Sequence, residues 1–108
     1  MNVILYGTKK CAETRKAERY LKERKIEFQF RDIGEKPLTE GELKNIAAGR
    51  DPAALLDTGS KSYIKKGFAF MEFDALEEIL ANPGLLVTPI VRIDRKYFIR
   101  PIMEDLSL

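Results

Sequence analysis

The sequence predicts an α/β protein built on a mixed sheet of about four strands. Three observations carry that reading. A strand, an amphipathic helix and a second strand follow one another at the start of the chain. The middle, about residues 39 to 82, carries helix signals. Two short apolar runs separated by a two-residue gap close the chain as a hairpin. At 108 residues all of this fits one domain with a helical insertion.

Val3-Ile4-Leu5-Tyr6 reads as a short buried strand, and Gly7-Thr8-Lys9-Lys10 as a loop. From Cys11 the pattern turns helical. Ala17, Tyr20 and Leu21 fall at i, i+3 and i+4 and give one apolar face. The helix should fade near Arg24-Lys25, where cations suit the negative end of the helix dipole. Ile26-Glu27-Phe28-Gln29-Phe30 alternates as a strand does. A strand-helix-strand unit of this length implies parallel strands.

Thr39-Glu40-Gly41-Glu42 is a capping box that opens a helix through about Ala48, with Gly49 as its stop. Asp51-Pro52 starts a short helix that ends before Gly59. Ser60 caps another turn or two ending at Gly67. Asp74-Ala75-Leu76-Glu77 is a second capping box, followed by an apolar stripe of Leu76, Ile79 and Leu80, and Asn82-Pro83-Gly84 ends that helix. Phe68 to Phe73 holds three aromatics and a methionine, which suit core packing or, if exposed, a protein partner. Pro89 to Ile93 and Lys96 to Arg100 form the hairpin around Asp94-Arg95, and Met103 to Leu108 a last helical turn.

Composition excludes several classes of function. The net charge of +2 is small and scattered, so nucleic acid is not expected as a partner. No apolar run approaches the roughly 20 residues of a membrane span. There is no histidine, the commonest metal ligand and neutral-pH base. Metal, Ser-His-Asp and Cys-His mechanisms are therefore disfavoured, and no metal ligands are assigned. One cysteine cannot build a disulfide framework, and no basic and apolar leader is evident; a cytoplasmic, monomeric protein is expected.

Cys11 carries the chemical reading. A thiol at a helix N-terminus faces unpaired N–H groups and the positive end of the helix dipole, and both favour the thiolate. Lys9 and Lys10 flank it. With no second cysteine, any redox chemistry must take its second thiol from outside. Arg15 lies one helical turn on, on the same side. Thr14, three residues on, could hydrogen-bond the sulfur.

Several ordered motifs resemble the arsenate reductase/Spx-like family of the thioredoxin-like superfamily. They are Tyr6-Gly7-(x)3-Cys11-(x)3-Arg15-Lys16-Ala17, Pro37-Leu38-Thr39-(x)2-Glu42-Leu43, and Asn82-Pro83-(x)1-Leu85-Leu86-(x)2-Pro89-Ile90-Val91. The resemblance implies a thioredoxin-like fold and a nucleophilic role for Cys11. It implies that Arg15 holds the thiolate and a bound anion, and that glutathione or a glutaredoxin-type thiol completes the cycle, with no resident cofactor. It also implies a cis Thr88-Pro89 peptide beside the nucleophile. Thr88 and Asp57 stand where arsenate reductases place arginines, whereas Arg100-Pro101 matches. A carboxylate facing an oxyanion would repel it, which counts against efficient arsenate reduction. The second cysteine of the Spx redox switch is also absent from Cys11-Ala12-Glu13-Thr14. Lys10, Thr14, Thr88, Pro89 and Arg100 are thus candidates for binding substrate or glutathione, with Arg92 and Lys61 as weaker anion-binding candidates. The expected function is a glutathione-linked thiol reductase. The alternative is an Spx-like interaction protein or transcription regulator on the same scaffold.

Overall fold

The computed structural model describes residues 1–67 and 72–108. Residues 68–71, most of the aromatic run Phe68 to Phe73, lie outside the described residues. The chain divides into two compact units: residues 1–36 with 88–108, and residues 37–87 between them in sequence.

The first unit holds the sheet. Strand β1 (Val3–Gly7), helix α1 (Ala12–Glu23) and strand β2 (Gln29–Asp32) come first; β3 (Ile90–Ile93) and β4 (Lys96–Ile99) follow the inserted unit. The strand order is β2-β1-β3-β4. β1 pairs parallel with β2 and antiparallel with β3, and β3 pairs antiparallel with β4. The sheet is therefore mixed and four-stranded, as the sequence predicts.

Register explains the core. Leu5 lies opposite Phe30 on one side and Val91 on the other, and Val91 lies opposite Phe98. Residues paired across strands share a face. This row meets Ala17 and Leu21 of α1, and Met103 and Leu106 of the C-terminal 3-10 turn, in one apolar cluster. Leu5 and Leu21 are fully buried, each contributing about 1.5–3 kcal/mol of hydrophobic stabilisation. The helical spacing read from the sequence thus places Ala17 and Leu21 inward, while Tyr20 sits at the margin under Arg24, whose guanidinium lies 4.5 Å from the ring centre.

The second strand begins later than the alternation suggests. Ile26 to Phe28 lie between the end of α1 and the strand. Lys25 takes a left-handed φ of 57°. Its N–H donates to Lys22 O, and Ile26 N–H donates back to Leu21 O. Those two bonds are a Schellman ending, which normally recruits glycine. They commit the Ile26 N–H to the helix, and β2 pairs with β1 from Gln29 onward. In the hairpin, Asp94 supplies the positive φ, 54°, that the missing glycine would have given.

The second unit is helical, as its capping signals predict. In α2 (Glu40–Ala47) both halves of the Thr39–Glu42 capping box are formed. Gly49 takes a left-handed φ of 77° just after it. Ser60 caps α3 (Lys61–Lys66), which stops at left-handed Gly67, and Asp74 caps α4 (Ala75–Ala81). Asp51 caps and Pro52 opens the expected short helix, which is a 3-10 turn over Pro52–Leu55. Leu55 is buried, and its carbonyl accepts from Val87 N–H at 2.8 Å. In α4 only Ile79 is buried, with Leu80 37% exposed, so the apolar stripe is narrower than expected. No helix among the described residues is long and apolar enough to cross a membrane.

Candidate functional site

Cys11 is the N-cap of α1. Strand β1 ends at Gly7, and a tight turn follows in which Cys11 N–H donates to Thr8 O at 3.1 Å. Its carbonyl accepts the first helical bond, from Arg15 N–H at 3.1 Å. Its extended backbone (φ −82°, ψ 118°) is that of an ordinary N-cap residue. Where serine or aspartate would accept from the first-turn N–H groups, this position holds a half-buried thiol.

Opposite the thiol lies the loop entering β3. The Thr88–Pro89 peptide is cis, as the resemblance implies, and both residues are buried. The Cys11 thiol donates to Thr88 O at 3.6 Å, and Arg100 Nε–H donates to the same oxygen at 2.7 Å. Arg100 N–H donates to Pro89 O at 2.8 Å.

Burial pushes the Cys11 thiol up, but donors to the sulfur outweigh it. The hydroxyls of Thr14 and Thr88 and the backbone N–H groups of Thr14 and Glu13 favour the anion, so the thiol lies below its ordinary value. One contact works the other way. The Thr88 carbonyl can accept only from S–H, so it favours the neutral thiol and its bond is lost on ionisation. At 3.6 Å to sulfur this is a weak bond set against several donors, and the net shift is still downward.

Thr14 is 1% exposed; its hydroxyl lies close enough to the sulfur to favour the anion, yet it completes no hydrogen bond among the described residues. Its side chain packs on Gly7, where any Cβ would collide with Thr14 Cγ2 and Oγ1. Sequence reading placed Gly7 in a loop and assigned it no role. A glycine at a strand end, seven residues before a threonine on the next helix, was the available signal.

The remaining candidates separate. Arg15 donates from Nη1 to Lys9 O at 3.0 Å, so its guanidinium folds back over the loop that precedes Cys11. Lys10 is exposed on that loop. Arg92 donates to Asp94 O at 2.7 Å and lies 5.3 Å over the Tyr97 ring, two contacts that tie it to the hairpin. In the helical unit, Lys61 is the exposed first residue of α3. There the Asp57 carboxylate accepts from Gly59 N–H at 3.2 Å and shapes the turn before Ser60. The structure thus brings together Cys11, Thr14, Thr88, Pro89 and Arg100 around one sulfur and one carbonyl. Among the described residues, no group of three or more His, Cys, Asp and Glu could hold a metal ion.

The sequence model of the glutaredoxin family matches residues 3–52, from β1 through α2. The global transcriptional regulator Spx of Enterococcus faecalis is 37% identical over 99 residues, covering 87% of this chain and 74% of that protein. The chain belongs to the arsenate reductase/Spx-like family. Solved structures share the family fold. The protein YFFB superposes with a TM-score of 0.82 at 24% identity, covering 91% of this chain and 90% of its own. The arsenate reductase of Vibrio cholerae gives 0.78 at 19% identity, covering 90% and 87%. The family motif around Cys11 coincides with the N-cap of α1, and its proline with the cis peptide beside it.

Proposed function

We propose that this family member is a monothiol redox protein in which Cys11 exchanges with glutathione mixed disulfides. The observation that carries the reading is the thiol at the N-cap of α1, half-buried beside cis Thr88–Pro89 and ringed by donors to its anion. That is the environment of a reactive cysteine rather than of an inert core thiol. The Cys11 thiolate attacks the glutathione sulfur of a mixed disulfide. A new S–S bond forms, the old one breaks, and the departing thiolate takes the electron pair and later a proton from water. A second glutathione thiolate then attacks the glutathione sulfur on Cys11. It releases glutathione disulfide and regenerates the thiol, so the incoming glutathione is the reductant and the disulfide passes from the substrate to glutathione. Thr14 occupies the place of a resolving cysteine, so resolution comes from outside.

Reduced protein mixed with glutathione disulfide should gain one glutathione per chain by intact mass, and lose it in excess glutathione. The Cys11→Ser variant should gain none. A wild-type chain that forms no adduct, or whose thiol titrates at about 8.5 or above, the unperturbed value, would overturn the proposal.

The relatives named as transcriptional regulators support a second reading, a protein-binding role on the same scaffold, for example at RNA polymerase. Capture of one stoichiometric protein partner, undiminished by Cys11→Ser, would favour that role over thiol chemistry.

A further inference from the structure

We infer that Arg100 is a positioning residue for the Cys11 site, acting through the Thr88 carbonyl rather than by touching the reacting atoms. The inference rests on the thiol reading above, and it begins from a backbone outlier. Arg100 is not glycine, yet it takes a φ of 42°. Such conformations cost of order 1–3 kcal/mol and persist only where the surroundings hold them. Here two bonds do so. The Arg100 N–H holds Pro89 O at 2.8 Å and its Nε–H holds Thr88 O at 2.7 Å. One residue therefore grips the carbonyls on both sides of the Thr88–Pro89 dipeptide, from the end of β4. The left-handed turn is what aims the side chain and the backbone of one residue at neighbouring acceptors.

The grip bears on Cys11 because Thr88 O is shared. The thiol donates to that oxygen at 3.6 Å. Laid end to end, the two bonds put Nε within about 6.3 Å of the sulfur. Two effects follow, with the same sign. A charge-assisted donor already occupies the carbonyl, so the oxygen offers less to S–H and holds the neutral thiol less firmly. The guanidinium also places a positive charge within reach of the sulfur anion. Other charged groups around the site are Lys9, Lys10, Glu13 and Arg15 on the thiol's own loop and helix, and Lys16 and Glu104, which line one pocket with Pro89 and Arg100. β1 contributes none, and neither Thr88 nor Pro89 is charged, so Arg100 is the cation that the β4 side brings to this carbonyl.

The resemblance assigned this arginine to anion binding, and the geometry gives it work to do with no anion present. The two roles predict different results. Three variants are read by the rate of iodoacetamide alkylation against pH, with unfolding measured alongside. Arg100→Gly keeps the backbone N–H bond to Pro89 and accepts the positive φ, so it should fold at least as well as the parent. Its alkylation midpoint should nevertheless rise by at least about half a pH unit, the effect of one charge at this separation even in bulk water. Arg100→Gln should shift the same way. Arg100→Lys, which keeps the charge but not the planar donor, should recover part of the shift. An unmoved midpoint in Arg100→Gly, with the fold intact, overturns the proposal. This readout needs no glutathione, so a protein that fails to form a glutathione adduct but shows the shift would refute the exchange reaction and leave the role of Arg100 standing.

Discussion

Replacing Thr14 by valine should change stability with opposite signs on the two sides of the thiol titration. Valine keeps the branched shape that packs on Gly7 and removes only the hydroxyl. In the structure that hydroxyl is buried and completes no hydrogen bond among the described residues. A buried unsatisfied polar group costs about 1–3 kcal/mol, so at about pH 6 the valine protein should be more stable by roughly 1 kcal/mol, the low end of that range. With the thiolate formed, the hydroxyl becomes a charge-assisted donor to sulfur. Such bonds contribute about 1.5–3 kcal/mol, and a half-exposed anion takes the low end because water screens it. The alkylation midpoint should therefore rise by about one pH unit. Since the Cys11 thiol is lowered on folding, its ionisation adds stability that is fully present above the unfolded value of about 8.5 and is lost as pH falls through the folded value. Valine removes the hydroxyl's share of that contribution, so the gain at pH 6 should shrink by about 1.4 kcal/mol at high pH and change sign. Urea unfolding at about pH 6 and about pH 10 and thiolate absorbance give the two readings. Equal stabilisation at both pH values with an unmoved midpoint would show that the hydroxyl does not serve the sulfur.

Three further outcomes follow from the fold. Gly7→Ala forces its new methyl into Thr14 and should cost about 1–3 kcal/mol, read as a thermal midpoint lower by several degrees; an unchanged midpoint would mean that α1 shifts freely. Lys25→Gly supplies the residue the left-handed φ of 57° favours and should stabilise by about 1 kcal/mol in urea unfolding. Thr39→Ala removes one half of the formed capping box and should cost about 1 kcal/mol, with Thr39→Ser restoring most of it.

The sequence was most informative where a short stretch settles its own structure. Thr39, Ser60 and Asp74 announce the starts of α2, α3 and α4, because a cap satisfies N–H groups only two or three residues away. Gly49 and Gly67 announce positive φ for the same local reason. Alternation misplaced β2 because the Schellman ending at Lys25 lacks its usual glycine, and nothing local marks lysine for that conformation. Spacing places Leu80 in the apolar stripe of α4, whereas how much of that stripe is covered depends on the neighbouring chain.

The same division runs through the site. By itself the sequence determined that one cysteine stands at the start of a helix after the first strand, that no histidine or second cysteine assists it, and that Thr14 and Arg15 follow within a turn. These are facts of adjacency, and helix geometry converts them into neighbours. Only the tertiary structure decided what faces the sulfur. Thr88 lies 77 residues away along the chain and Arg100 twelve beyond that, and they meet Cys11 because β1 pairs with β3 and β3 with β4. Sheet pairing joins residues by register rather than by sequence distance. A carbonyl shared between a thiol and a guanidinium therefore leaves no trace in residue spacing, and neither does a glycine kept bare for a threonine on the next helix.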